Sequence, residues 1–112
     1  MPRRLLLVTS PPGSGEARRA LEFANSLRAG GFDVGLVLFQ DAVLAAIEHS
    51  RTPAALAVKD LLMKGTPVYA AEEDLALRGF SSANLAAGAV TLNDGHLIDL
   101  MLADGTTLLG CL

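Results

Sequence analysis

The strongest constraint on this chain is an alternation of short apolar runs of strand length with stretches whose apolar residues recur at helical spacing. Leu5 to Thr9 is continuously apolar until its end, the pattern of a strand covered on both faces by helices. Ser10-Pro-Pro-Gly-Ser-Gly15 then breaks the run, and Ala17, Ala20, Leu21, Ala24 and Leu27 form a helical stripe that stops at Gly30-Gly31. Phe32 to Phe39 reads as a second buried strand, Thr66 to Ala70 as a third, Ala89 to Leu92 as a fourth and Thr106 to Cys111 as a fifth.

The connections are predicted in the same way. Asp41 is placed to cap a short helix from Ala42 to Glu48, and Thr52 to cap a longer one with Pro53 at its first position, closed by Gly65. Glu72, Glu73 and Asp74 crowd the first turn of a helix, where its dipole favours negative charge, and Asp74 can pair with Arg78 four residues on. Ser81 to Ala87 is expected to make a helical turn, Asn93-Asp94-Gly95 a tight turn, and His96 to Leu102 a helix.

Strands joined through helices by such short connections imply right-handed crossovers and a mostly parallel sheet. The expected fold is therefore α/β: a flavodoxin-like three-layer sandwich with about five strands, as one domain over residues 1–112. In sheets of this kind ligands bind beyond the carboxyl ends of the strands. The candidate site is accordingly the loop from Ser10 to Gly15, the turn Gln40-Asp41, the segment Tyr69, Ala70, Ala71, Glu72 and Glu73 with Asp74 after it, the turn Asn93 to Gly95, and the chain end near Cys111.

Composition narrows the function classes. A net charge of −3 and only 4% aromatic residues supply neither a field nor stacking platforms for a nucleic acid. The basic pair Arg3-Arg4 is followed by an apolar run too short for a signal peptide or a membrane span, so a soluble cytoplasmic protein is expected. One cysteine and two histidines at no ligand spacing make neither a disulfide nor a convincing zinc site, and no cofactor is expected.

Specific chemistry is harder to place. The SPPGSGE loop lacks the lysine and hydroxyl of a G-x-x-x-x-G-K-S/T phosphate loop and has Glu16 and Arg18 instead; it reads first as a plain βα turn, with anion or substrate contact as the lesser reading. A phospho-receiver site is excluded, because the first strand ends in Thr9-Ser10, the third in Tyr69-Ala70 and the last in Gly110-Cys111. Cys111 is the only thiol, so any sulfur transfer by the chain itself runs through it, although an apolar-flanked cysteine is also commonly buried and inert. His49 and His96 lie at helix boundaries, and first-turn electrostatics already account for the acidic trio. The apolar helices and sparse charge between Ala42 and Leu62 suit an oligomer surface, with core packing an equal explanation.

Two segments carry a resemblance. LVLFQDAVLAAI is similar to an apolar strand, Gln-Asp, small residue, Val and short helix of the DsrE/DsrF/DsrH-like superfamily, and VYAAEEDLALRG resembles a segment typical of its TusB/DsrH branch. VTLNDGHLIDLM continues the likeness more weakly, while the fuller N-terminal third looks more like DsrE and DsrF subunits. The resemblance implies a subunit of a TusBCD-like or DsrEFH-like assembly, with DsrE/DsrF- or TusC/TusD-like partners, that passes persulfide sulfur toward tRNA thiolation or within sulfur oxidation. It implies an active cysteine at the end of the third strand in DsrE and TusD subunits, or in the first helix of some DsrH proteins. Here Ala70-Ala71 stands at the first place and no cysteine at the second. The implied role is a non-catalytic subunit; the alternatives are a sulfurtransferase carrying persulfide on Cys111 and a homo-oligomer binding a small molecule at the strand ends.

Overall fold

The computed structural model describes residues 3–111, the last by its backbone alone. Five parallel strands, β1 (Arg3–Val8), β2 (Asp33–Leu38), β3 (Val68–Ala71), β4 (Val90–Leu92) and β5 (Thr106–Cys111), form one sheet in the order β4-β3-β2-β1-β5. Helices α1 (Gly15–Ala29), α2 (Pro53–Met63), α3 (Glu72–Leu77) and α4 (Asp94–Leu102) connect them, with 3-10 helices at Gln40–Ala46 and Ser82–Asn84. The α/β class, the parallel sheet and the number of strands are those the apolar runs predict.

The order of the strands decides how the helices are shared between the faces. From β1 to β4 each crossover steps the same way, so right-handed connections put α1, α2 and α3 on one face; the return from β4 to β5 puts α4 on the other. The first face is well filled. Leu6, Val8, Val34, Leu36, Leu38, Val68 and Ala70 interlock there with Ala20, Leu21 and Ala24 of α1, Val58 and Leu61 of α2, and Leu75 of α3. The second face carries the row Leu7, Val37, Tyr69 and Val90 in register, of which only Val37 is fully buried. Its one helix, α4, buries none of its residues.

Local signals explain the ends of the elements. Ser14 Oγ accepts from the Ala17 amide at 3.1 Å, Thr52 Oγ1 from Ala55 at 3.1 Å with Pro53 at the first helical position, and Asn93 Oδ1 from His96 at 2.9 Å. The Thr52 cap is as expected, but Asn93 is not in a tight turn: it caps α4, which takes in Asp94 and Gly95. Asp41 does not cap either. The 3-10 helix starts one residue before it, at Gln40, and Phe39 precedes it with no side-chain cap. This segment buries Ala42, Val43, Ala45 and Ala46 within the chain itself, so the apolar residues there supply core, with Leu56 left exposed.

A pairing of sizes closes the middle of the thinly covered face. Leu5 is fully buried opposite Gly35, and a Cβ at Gly35 would sit 3.0 Å from Leu5 Cδ2. No helix among the described residues is long and apolar enough to cross a membrane. Gly35→Val is expected to destabilise the fold by about 1–3 kcal/mol through overpacking, read as a lower midpoint in urea; an unchanged midpoint would show that Leu5 moves aside freely.

Candidate functional site at the carboxyl rim

The carboxyl ends of β2, β3 and β4 open on a cavity of about 280 Å³. Ala71, Glu72 and Asp74 line it together with Phe39, Asn93 and Asp94. It is an acidic place, since Glu73 also borders it and no Lys or Arg does. Among the described residues no group of three or more His, Cys, Asp or Glu could hold a metal ion.

The two motif segments meet here. Gln40, just past β2, has a left-handed backbone with φ 51, a conformation that costs a residue with a Cβ roughly 1–2 kcal/mol. Asp74 compensates: its Oδ2 accepts from the Gln40 amide at 2.8 Å. Next to it Arg78, at the end of α3, donates from Nε and Nη2 to Asp41 Oδ1 at 3.1 and 2.9 Å, and from Nη1 to the Asp74 carbonyl at 2.9 Å. The expected Asp74–Arg78 contact is long, 3.9 Å between charged atoms, because the guanidinium is turned toward Asp41. Gly79 then ends the motif at φ 82, where the Cβ of any other residue would be strained.

The predicted site residues thus part company. Ala71, Glu72 and Asp74 share the cavity, and Asp41 is tied to it through Arg78. Ala70 is buried in the first-face core, and Tyr69 lies on the opposite face between Val37 and Val90; neither lines the cavity. Ser10 is half-buried in the loop after β1 and is not part of its lining. Cys111 ends β5, three strands from β3, and its side chain lies outside the described residues. Sequence reasoning missed the roles of Gln40 and of Arg78 toward Asp41. The i,i+4 spacing pointed at Asp74, whereas Asp41 is 37 residues away and carries no local signal.

A double-mutant cycle on Asp41→Ala and Arg78→Ala measures this tie. Arg78→Ala alone should cost about 1–2 kcal/mol, with a coupling of about 0.5–1 kcal/mol to Asp41 for a partly exposed charge-assisted pair; fully additive losses would show that the contact contributes nothing.

Comparison with known proteins agrees with this geometry. No match is found among curated proteins. Among solved structures the chain is similar to the YchN protein from E. coli, at 22% identity and a TM-score of 0.83 over 97% of this chain and 100% of that one. It is also similar to MTH1491 from Methanobacterium thermoautotrophicum, at 15% identity and a TM-score of 0.77 over 97% and 98% of the two chains. BT1422 from Bacteroides thetaiotaomicron follows at 18% identity and a TM-score of 0.70, over 97% and 94%. At such identities the likeness establishes a shared fold. The model of the DsrE/DsrF-like family matches residues 3–109, nearly the whole chain and both motif segments, and the chain therefore belongs to the DsrE/DsrF-like family.

Proposed function

We propose that this chain is a non-catalytic subunit of a sulfur-relay assembly of the TusBCD or DsrEFH kind, closest to the TusB/DsrH branch. The observation that carries the reading is the end of β3. Where the resemblance implies a sulfur-bearing cysteine in catalytic subunits, this chain has Ala71 beside a cavity bordered by Glu72, Glu73, Asp74 and Asp94. A persulfide is handled as an anion, and carboxylates that close would disfavour it. The rim is suited to holding shape while a partner performs the transfer.

The thin second face supports the partner half of the reading. Val90, Ile98, Leu102 and Leu108 are exposed apolar residues on β4, α4 and β5. The surface suits DsrE/DsrF- or TusC/TusD-like subunits. The competing reading makes Cys111 a persulfide carrier. It would act at the far edge of the sheet, about 14 Å from β3 at the usual strand spacing, and so without the rim cavity.

Two experiments decide. Incubated with a cysteine desulfurase and cysteine, the purified chain should show no stable adduct of about 32 Da, the mass of one sulfur on a thiol. An adduct that disappears in Cys111→Ser would replace this proposal with the carrier reading. Separately, Ile98→Asp with Leu102→Asp should leave the circular dichroism unchanged and abolish assembly with co-expressed partner subunits, measured by sedimentation. An assembly indifferent to both changes would remove α4 from the interface.

A further inference from the structure

The sheet has two edges, and they are finished differently. β4 is three residues long and runs straight into Asn93 and Asp94, so a strand laid along it would gain few bonds and meet a carboxylate. β5, at the other edge, is six residues long, with no Lys, Arg, Asp, Glu or Pro from Gly105 to Cys111. Thr107, Leu108 and Gly110 are exposed, and Thr106 and Leu109 half-buried. α1 packs against β2 and β1, one strand inward, and α4 meets β5 from the second face. Sheet edges are normally protected by charge, proline or a covering element, because their unpaired backbone groups recruit another strand. Among the described residues, the outer side of β5 has none of these.

The ladder to β1 fixes which groups are available. The Arg3 amide donates to the Gly105 carbonyl at 2.9 Å, and in a parallel pair successive residues face alternate neighbours. Thr107 and Leu109 therefore turn their N–H and C=O toward β1, and Leu108 turns both outward. At one end, the Thr106 amide is already taken by the Ala103 carbonyl at 3.1 Å. At the other, a register shift and the left-handed Gly110, φ 57, interrupt the regular strand. Leu108 is left as the residue with a complete outward donor and acceptor. Such a residue is self-complementary: across a twofold axis its N–H reaches the Leu108 carbonyl of a second copy, and its own carbonyl receives the same bond in return.

We infer that the β5 edge pairs with the β5 edge of a second copy, antiparallel about Leu108, joining two five-stranded sheets into one. The Leu108 side chain, 42% exposed, then lies directly opposite its counterpart, and Thr106 comes opposite Gly110. This arrangement closes on itself, whereas β5 on the short β4 edge of another copy would be a head-to-tail contact that leaves a free edge at either end. The pairing goes beyond the sulfur-relay reading and does not rest on it, because it uses the backbone of the edge rather than the apolar face about α4.

The test uses the full chain alone, without partner subunits, in sedimentation equilibrium and in amide hydrogen exchange at high and low protein concentration. A monomer–dimer equilibrium is expected, with protection of the Leu108 amide in the dimer only, while the Leu109 amide, which faces β1, is protected at both concentrations. Leu108→Pro removes the donor of both central bonds at a place where an edge strand tolerates proline, and should weaken the dimer about ten- to a hundredfold. Leu108→Lys keeps the backbone but sets like charges opposite one another, and should weaken it about three- to tenfold. The circular dichroism of the Lys variant should be unchanged. A chain that stays monomeric, its edge left to a strand of another protein, would overturn the inference. So would a dimer whose Leu108 amide exchanges as fast as in the monomer, or one that Leu108→Lys leaves equally tight.

Discussion

The rim of this protein depends on one pair of attachments: the carboxylate of Asp74 on the Gln40 amide, and the guanidinium of Arg78 on Asp41. They join two segments far apart in the chain. The first leaves β2 through a left-handed residue, which would be strained if nothing received its amide. The second is a helix of six residues, too short to be stable alone, whose one buried side chain is Leu75. Each supplies what the other lacks. Asp74 in the first turn of α3 therefore has a structural task before any chemical one, and its carboxylate adds to the acidity of the cavity beside it.

The same economy shapes the two faces of the sheet. Three of the four α-helices are on one side because successive crossovers step in one direction, and the core is dense there. On the other side Leu5 closes over Gly35 and Val37 is sealed, but α4 rests on the sheet without burying a residue. A face so finished retains apolar area that a neighbouring subunit can remove from water. The electrostatics are divided as well: the ends of β3 and β4 are acidic, whereas Glu16 in the first turn of α1 is followed by Arg18 and Arg19. These are separate environments on one rim, and they suit different tasks.

Much of this is legible in the amino-acid sequence. Leu5 to Val8 and Val34 to Phe39 announce buried strands because no polar residue interrupts them, and Thr52-Pro53 marks a helix start by a local hydrogen bond that three residues suffice to make. The motif around Glu72 to Gly79 also locates the rim segment and its family. The errors occurred where a short polar residue had two possible partners. Asp41 and Asn93 both qualify as caps or turn formers by type; Asn93 caps α4, while Asp41 is drawn away by an arginine 37 residues later.

What the sequence determined by itself, then, was whatever depends on neighbours along the chain: strand and helix identity, most caps, the parallel class of the sheet, and the absence of a cysteine at the end of β3. Tertiary structure alone decided the order β4-β3-β2-β1-β5, and with it which face stays thinly covered. It also decided the Gln40–Asp74 and Asp41–Arg78 contacts and the cavity at the carboxyl rim. The reason is physical. Periodicity and capping are set by interactions within a few residues, whereas a hydrogen bond or a cavity between distant segments exists only once the sheet has brought them together.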